Sequence, residues 1–152
     1  MRYFLISLIM LVSLSANAFD FDSYTGSSLD KIIEQHEDDF GEDFDIGISG
    51  IAFKYKITAL FTKNLRAVSD ERKSFLKHWA TSLGQDNSFI AKYQHEFLIE
   101  ASGYKIWLPM QESVLPFMGE ELIEGQEFEI YFVLAGIDHG EWVFLGTEFQ
   151  AW

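Results

Sequence analysis

The sequence predicts an α+β chain that is mainly β: five strands, with a helix before the first, a helix inserted between the first and second, and a short helix between the third and fourth. Three observations carry this reading. Residues 46–63 alternate, with Ile51, Phe53, Tyr55, Ile57, Ala59 and Phe61 in one phase and Ala52, Lys54, Lys56, Thr58 and Thr62 in the other. Ser69-Asp70 opens a stretch in which Phe75, Leu76, Trp79, Ala80 and Leu83 recur at helical spacing before Gly84, the start and stop signals of a helix. Two strand pairs follow around the turn-forming Ala101-Ser102-Gly103 and Asp138-His139-Gly140.

The chain begins with a short positive start, Met1-Arg2, an uncharged and mostly apolar run over 4–14, and the small-x-small site Ala16-Asn17-Ala18. That is the layout of a secretory signal peptide. The run is shorter than the roughly 20 residues a spanning helix needs. Residues 1–18 are therefore expected to be removed, leaving Phe19 first; a retained N-terminal anchor is the alternative. Export implies a periplasmic or secreted location.

Two regions follow: a leading polar segment and helix over 19–45, and a β domain over 46–152. Residues 19–27 read as polar and loose. Ser28 can cap a helix over 29–39 in which Leu29, Ile32, Ile33 and His36 share a face. Strand 46–63 has a half-buried pattern, and Gly47 and Gly50 permit a bend or bulge. Helix 70–83 follows. Residues 93–100 and 104–108 form a hairpin that Pro109 ends. A short helix fits 112–122, with Pro116 in its first turns. In strand 127–134, Phe128, Ile130, Phe132 and Leu134 face inward, leaving Glu127 and Glu129 outside. Residues 141–150 make the last strand.

Five strands with a helix between the third and fourth resemble the OB-fold barrel. The Trp107-Leu108-Pro109 step, the Glu120-Glu121-Leu122 run before Gly125, and the segments Tyr131-Phe132-Val133 and Trp142-Val143-Phe144-Leu145 resemble small exported bacterial OB-like domains of unassigned function. The resemblance covers about residues 46–150 and implies a five-stranded OB-like barrel. It implies a ligand surface on the outer face of the second and third strands. It carries no catalytic motif, and fold alone assigns no function.

The chain has 24 acidic and 11 basic residues, a net charge of −13, and −14 once Arg2 is gone. Such a field repels nucleic acid and anionic membrane surfaces and attracts cationic proteins; it also serves solubility. No cysteine is present, which excludes thiol catalysis, thiolate metal sites and lipid attachment at a cleavage-site cysteine. The 48% hydrophobic content, with 15 phenylalanines, supplies a core without disulfides. The C-terminal Trp152 suggests an outer-membrane barrel, but Gln150 breaks the alternation and helices interrupt the strands.

No catalytic motif emerges, and no cofactor or metal is expected. His36-Glu37 and His95-Glu96 begin like a zinc-protease helix, but Phe40 and Ile99 stand where the second histidine belongs. His78 and His139 form no metal spacing. The acidic residues of 37–45 suggest calcium, yet Phe44 or Ile48 occupies the sixth position where an EF-hand loop needs glycine. Serine-nucleophile and phosphate-loop motifs are absent. Paired catalytic acids at Glu127 and Glu129 are uninformative in so acidic a chain.

Strand parity supplies the candidate site. Outward positions are Lys54, Lys56 and Thr58 on the first strand, Gln94, Glu96 and Leu98 on the second, and Lys105 and Trp107 on the third. Lys54, Lys56, Lys105 and Trp107 on one face would hold a ring or an anionic group. The competing expectation is a set of cross-strand Lys–Glu pairs with Trp107 packed under a helix. Three functions follow. The first is a soluble exported binding or accessory module without catalysis, whose partner is an unknown protein or small ligand. The second is an acidic inhibitor or immunity-type protein that neutralises a basic exported enzyme. The third is a hydrolase whose site carries no motif.

Overall fold

The twenty-two residues of β2 (Ile46–Ala67) organise the fold, because this strand is long enough to serve two neighbours in turn. In the computed structural model, which describes residues 19–40 and 45–152, it follows β1 (Thr25–Gly26) and α1 (Leu29–Phe40). Then come α2 (Asp70–Ser82), β3 (His95–Ala101), β4 (Tyr104–Met110), α3 (Leu115–Glu121), β5 (Glu127–Asp138) and β6 (Glu141–Ala151). The expected signal peptide and residues 41–44 of the acidic stretch lie outside the described residues.

The order across the sheet is β1-β2-β3-β4-β6-β5, and β5 returns to pair with β2, so the sheet closes into a ring. Phe53 to Leu60 run antiparallel to β5, and Leu60 to Ala67 run antiparallel to β3. β4 and β6 are parallel and register at one pair, Met110 with Gly146. The ring bends where β2 and β5 cross: Gly136 has φ of +148°, and a Cβ there would stand 2.0 Å from the Gly47 carbonyl oxygen. Only glycine permits that approach.

Alternation fills the interior. Tyr55, Ile57, Ala59 and Phe61 point in from β2, and Phe128, Ile130, Phe132 and Leu134 point in from β5. α1 adds Leu29, Ile32, Ile33 and Phe40 to the same core. A second core lies outside the ring. Phe75, Leu76, Trp79 and Ala80 of α2 pack on Val133 and Ala135 of β5 and on Val143 and Leu145 of β6. Ser69 caps α2, its Oγ accepting from the Arg72 amide at 3.1 Å. No described helix is long and apolar enough to cross a membrane.

Several expectations need correction. Residues 19–27 are not loose: Phe21–Ser23 form a 3-10 turn, and β1 pairs in parallel with Tyr55 and Lys56. Among the described residues the sheet therefore has six strands. Pro109 does not end β4; it lies within the strand opposite Glu96, and pairing continues to Met110. Ile51 is 62% exposed, because the β2–β5 register shifts between Ile48 and Phe53 and carries Ile51 out of the inward phase. From Ile130 onward β5 is buried on both faces, and α2 covers Val133 and Ala135 of the outer one.

Candidate functional site

The site begins where the ring is least tightly closed. β4 extends back from Met110 to Tyr104, and β6 extends back from Gly146 to Glu141, yet the two register only at Met110 and Gly146. Their first halves flank a cleft of about 390 Å³. Tyr104, Lys105, Ile106 and Trp107 line it from β4; Gly140, Glu141 and Trp142 line it from the other side; Arg72 comes from α2.

Local sequence explains each placement. The two-residue turn Ser102-Gly103, with φ of 51° and 79°, brings Tyr104 and Lys105 to the mouth. The turn His139-Gly140, with φ of 50° and 75°, does the same for Glu141 and Trp142. Ser69 fixes the start of α2, and Arg72 in its first turn lies beside that second turn. The Arg72 guanidinium donates through Nη2 to Glu141 at 3.1 Å, and its Nε lies 3.5 Å from Asp138. That Nε is buried and makes no hydrogen bond among the described residues. Trp142 is half-buried and meets the Phe40 ring edge-on at 5.7 Å. Aromatic rings and cations around an open cleft suit a planar or anionic ligand.

Of the four residues the sequence points to, Lys105 and Trp107 come together here. Lys105 also pairs with Glu100 at 3.3 Å. Trp107 is half-buried under a guanidinium rather than a helix. Arg66 sits 3.9 Å from the Trp107 ring centre, and its Nε donates to Glu96 at 2.6 Å. Glu96, expected to face solvent, is 3% exposed. Lys54 and Lys56 stand apart. The row across the sheet from Lys105 runs through Glu100 to Leu60, and Lys56 precedes Leu60 by four residues, roughly 13 Å along the strand.

Lys54 and Lys56 belong to a second constellation. Lys54 Nζ lies 5.6 Å from the centre of the Tyr24 ring, and Lys56 Nζ lies 5.8 Å from that of Tyr131. Phe19, Phe21 and Tyr24 each pack a ring edge against Tyr131. The Tyr131 hydroxyl donates to Glu129, which also receives Lys56 at 3.5 Å. Burial first, and then the Glu129 carboxylate, raise the Tyr131 pKa above the usual phenol range. Glu129 is thus half-buried rather than outside, its side chain 21% exposed.

Three of the histidines are engaged locally. His36 is buried, with Nε2 2.6 Å from the Tyr55 hydroxyl and Nδ1 2.7 Å from Asp39. His95 meets Glu112 at 2.8 Å and His139 meets Asp138 at 2.8 Å, while His78 is exposed. Among the described residues no three histidine or acidic side chains converge as a metal site.

Sequence reasoning missed Arg72, Tyr104, Glu141 and Trp142. The signal for Glu141 and Trp142 was present, since both follow the Asp138-His139-Gly140 turn directly. Arg72 carried none until α2 was placed. A scan against protein-family models matches none, and a search of the curated proteins returns no match.

Proposed function

We propose that this protein is a soluble, exported, non-catalytic binding module built on an OB-like five-stranded barrel, with its ligand held in the β4–β6 cleft. The observation that carries the reading is where the cleft lining comes from. Counting ring strands from β2, the lining draws on the third strand, on α2 in the connection between the first and second, and on the turn between the fourth and fifth. OB folds bind ligands on the second and third strands and on those same two connections. The ring order, the parallel contact between its third and fifth strands, and α3 between its third and fourth support the same architecture. The leader-like residues 1–18 support export.

The cleft chemistry favours a ligand with a flat or anionic group, received between Tyr104, Trp107 and Trp142 and beside Arg72 and Lys105. A thermal-shift screen of aromatic carboxylates, oligosaccharides and short peptides tests this on wild type, Tyr104→Ala and Lys105→Ala. Tyr104 is 41% exposed and the Lys105 side chain 69% exposed, so both variants should fold. A ligand that stabilises wild type and loses its effect in both variants supports the site; one that stabilises all three equally removes it. Export predicts a mature chain starting at Phe19, and an intact mass showing an uncut chain in the membrane fraction contradicts it. The net charge of −13 predicts no DNA or RNA binding at physiological salt. Micromolar affinity by fluorescence anisotropy would overturn that.

The same charge favours a second reading, an acidic inhibitor or immunity-type protein directed at a basic exported enzyme. A pull-down from periplasmic extract at low and high salt separates the two, because charge-steered partners leave as salt rises.

A further inference from the structure

Each cation at the β4–β6 cleft already has a carboxylate. Arg72 meets Glu141 at 3.1 Å and Asp138 at 3.5 Å, and Lys105 meets Glu100 at 3.3 Å. Arg66, seated on the Trp107 ring, meets Glu96 at 2.6 Å. Four carboxylates therefore stand against three cations, in a chain of net charge −13. An anion entering here would have to displace a carboxylate from its cation and approach against the field of the whole chain. The ion pairs still offer open partners, since the Glu141 side chain is 75% exposed and that of Lys105 is 69% exposed. The cleft thus presents acceptors and donors side by side, without surplus positive charge.

The rings are also arranged against a lone cation. An aromatic cage holds an ammonium where several ring faces converge. Trp142 packs against the interior core, and Tyr104 is in phase with the interior residue Ile106. Trp107 alternates with the buried Ile106 and Leu108 and so belongs to the opposite phase. The three rings line the gap from both sides of the sheet instead of closing around one point. Tyr104 and Trp107 stand roughly 10 Å apart along β4. Such a gap suits an elongated ligand that meets one ring after another.

We propose that the ligand of the β4–β6 cleft is a neutral oligosaccharide. Each sugar hydroxyl can donate and accept at once. Neighbouring hydroxyls can therefore donate to the Glu141 carboxylate and accept from Arg72 or Lys105 while leaving the ion pairs intact. The C–H bonds of a sugar ring, positively polarised, lie on the negative face of an aromatic ring, which Tyr104, Trp107 and Trp142 supply. A cleft of about 390 Å³ lies within the roughly 300–1,000 Å³ that small-molecule sites occupy. The proposal rests on the reading of this cleft as the ligand site and narrows its ligand from flat or anionic groups to saccharides.

The test is isothermal titration calorimetry with neutral trisaccharides of glucose, mannose, galactose and N-acetylglucosamine, set against benzoate, a sulfated trisaccharide and choline. At least one neutral trisaccharide should bind, with affinity unchanged between about 50 and 500 mM salt. Tyr104→Ala and Glu141→Ala should each weaken it by about tenfold, whereas Glu121→Ala on α3 should leave it intact. Glu141→Ala gives the sharpest contrast, because it removes an acceptor from a sugar but frees Arg72 for an anion. Binding of benzoate or the sulfated sugar alone, lost in Tyr104→Ala and strengthened in Glu141→Ala, overturns the saccharide and leaves the cleft standing as an anion site. Binding of choline alone, weakened by salt and by Glu141→Ala, likewise overturns the saccharide but not the cleft. Saccharide binding that neither variant changes lies elsewhere on the protein and overturns both, as does binding of none of these probes. Circular dichroism establishes that the variants fold.

Discussion

Arg66→Met removes the guanidinium that lies between Trp107 and the buried carboxylate of Glu96. The Glu96 side chain keeps 4% of its exposure and Arg66 keeps 51%. A hydrogen bond to a charged group is worth about 1.5–3 kcal/mol, and orphaning one charge of a fully buried pair costs about 3–5 kcal/mol. Water reaches the exposed half of Arg66, which screens the pair and places the expected loss near 2 kcal/mol. Lost stacking on Trp107 belongs to the same figure, being on the order of 0.5–1 kcal/mol at an exposed site. Glu96→Gln keeps the shape and leaves Arg66 free to reach water, so about 1 kcal/mol is expected. In the double variant no charge is orphaned, and the loss should fall short of the sum of the single losses by about 1 kcal/mol. Urea denaturation at neutral pH, with unchanged slope, reads all three. Arg66→Met within about 0.5 kcal/mol of wild type, or additivity within about 0.5 kcal/mol, would show that the pair does not hold this face together.

Other perturbations address the rest of the architecture. Phe132 is 1% exposed, with its ring 4.9 Å from Phe144, so Phe132→Ala should cost about 3–5 kcal/mol in chemical denaturation. Val133→Ala, on the opposite face of β5 under α2, should also destabilise, by about 1–2 kcal/mol; no loss would mean that this face is not packed. Glu129→Ala should cost about 1–2 kcal/mol, because the carboxylate accepts from Tyr131 and meets Lys56. Removing its charge should also let the Tyr131 phenol titrate at lower pH, which absorbance of the tyrosinate reports. Burial pushes Tyr93 up to about 12 from 10.0 and raises Tyr24 and Tyr55 as well. The fold therefore favours the neutral phenols, and the contribution of Tyr93 is complete below pH 10 and lost as pH rises toward 12. Stability that stays flat across that window would refute the burial of this hydroxyl.

Local chemistry made most elements legible. The period-2 pattern of β2 and β5, the helical spacing of Phe75, Leu76, Trp79 and Ala80 behind Ser69, and the glycine-bearing turns at 102–103 and 139–140 each depend on near neighbours, so the sequence could specify them. What one element does to another could not be read that way. Alternation marks which residues of β5 face inward, but Tyr131 and Val133 are buried because Phe19, Phe21, Tyr24 and α2 arrive from elsewhere. Parity placed Lys54, Lys56, Lys105 and Trp107 on outward positions, yet β2 is long enough to pair with β5 along one half and β3 along the other. That length separates Lys54 and Lys56 from Lys105. Pro109 looked like a strand end, but pairing opposite Glu96 carries β4 on to Met110. The cleft needed the closed ring. Arg72 reaches it from α2, Glu141 and Trp142 from a distant turn, and the gap exists because β4 and β6 meet at one pair. Local sequence sets backbone preference and the pattern of faces; only long-range pairing decides which faces meet, and that meeting gives an outward side chain its partner.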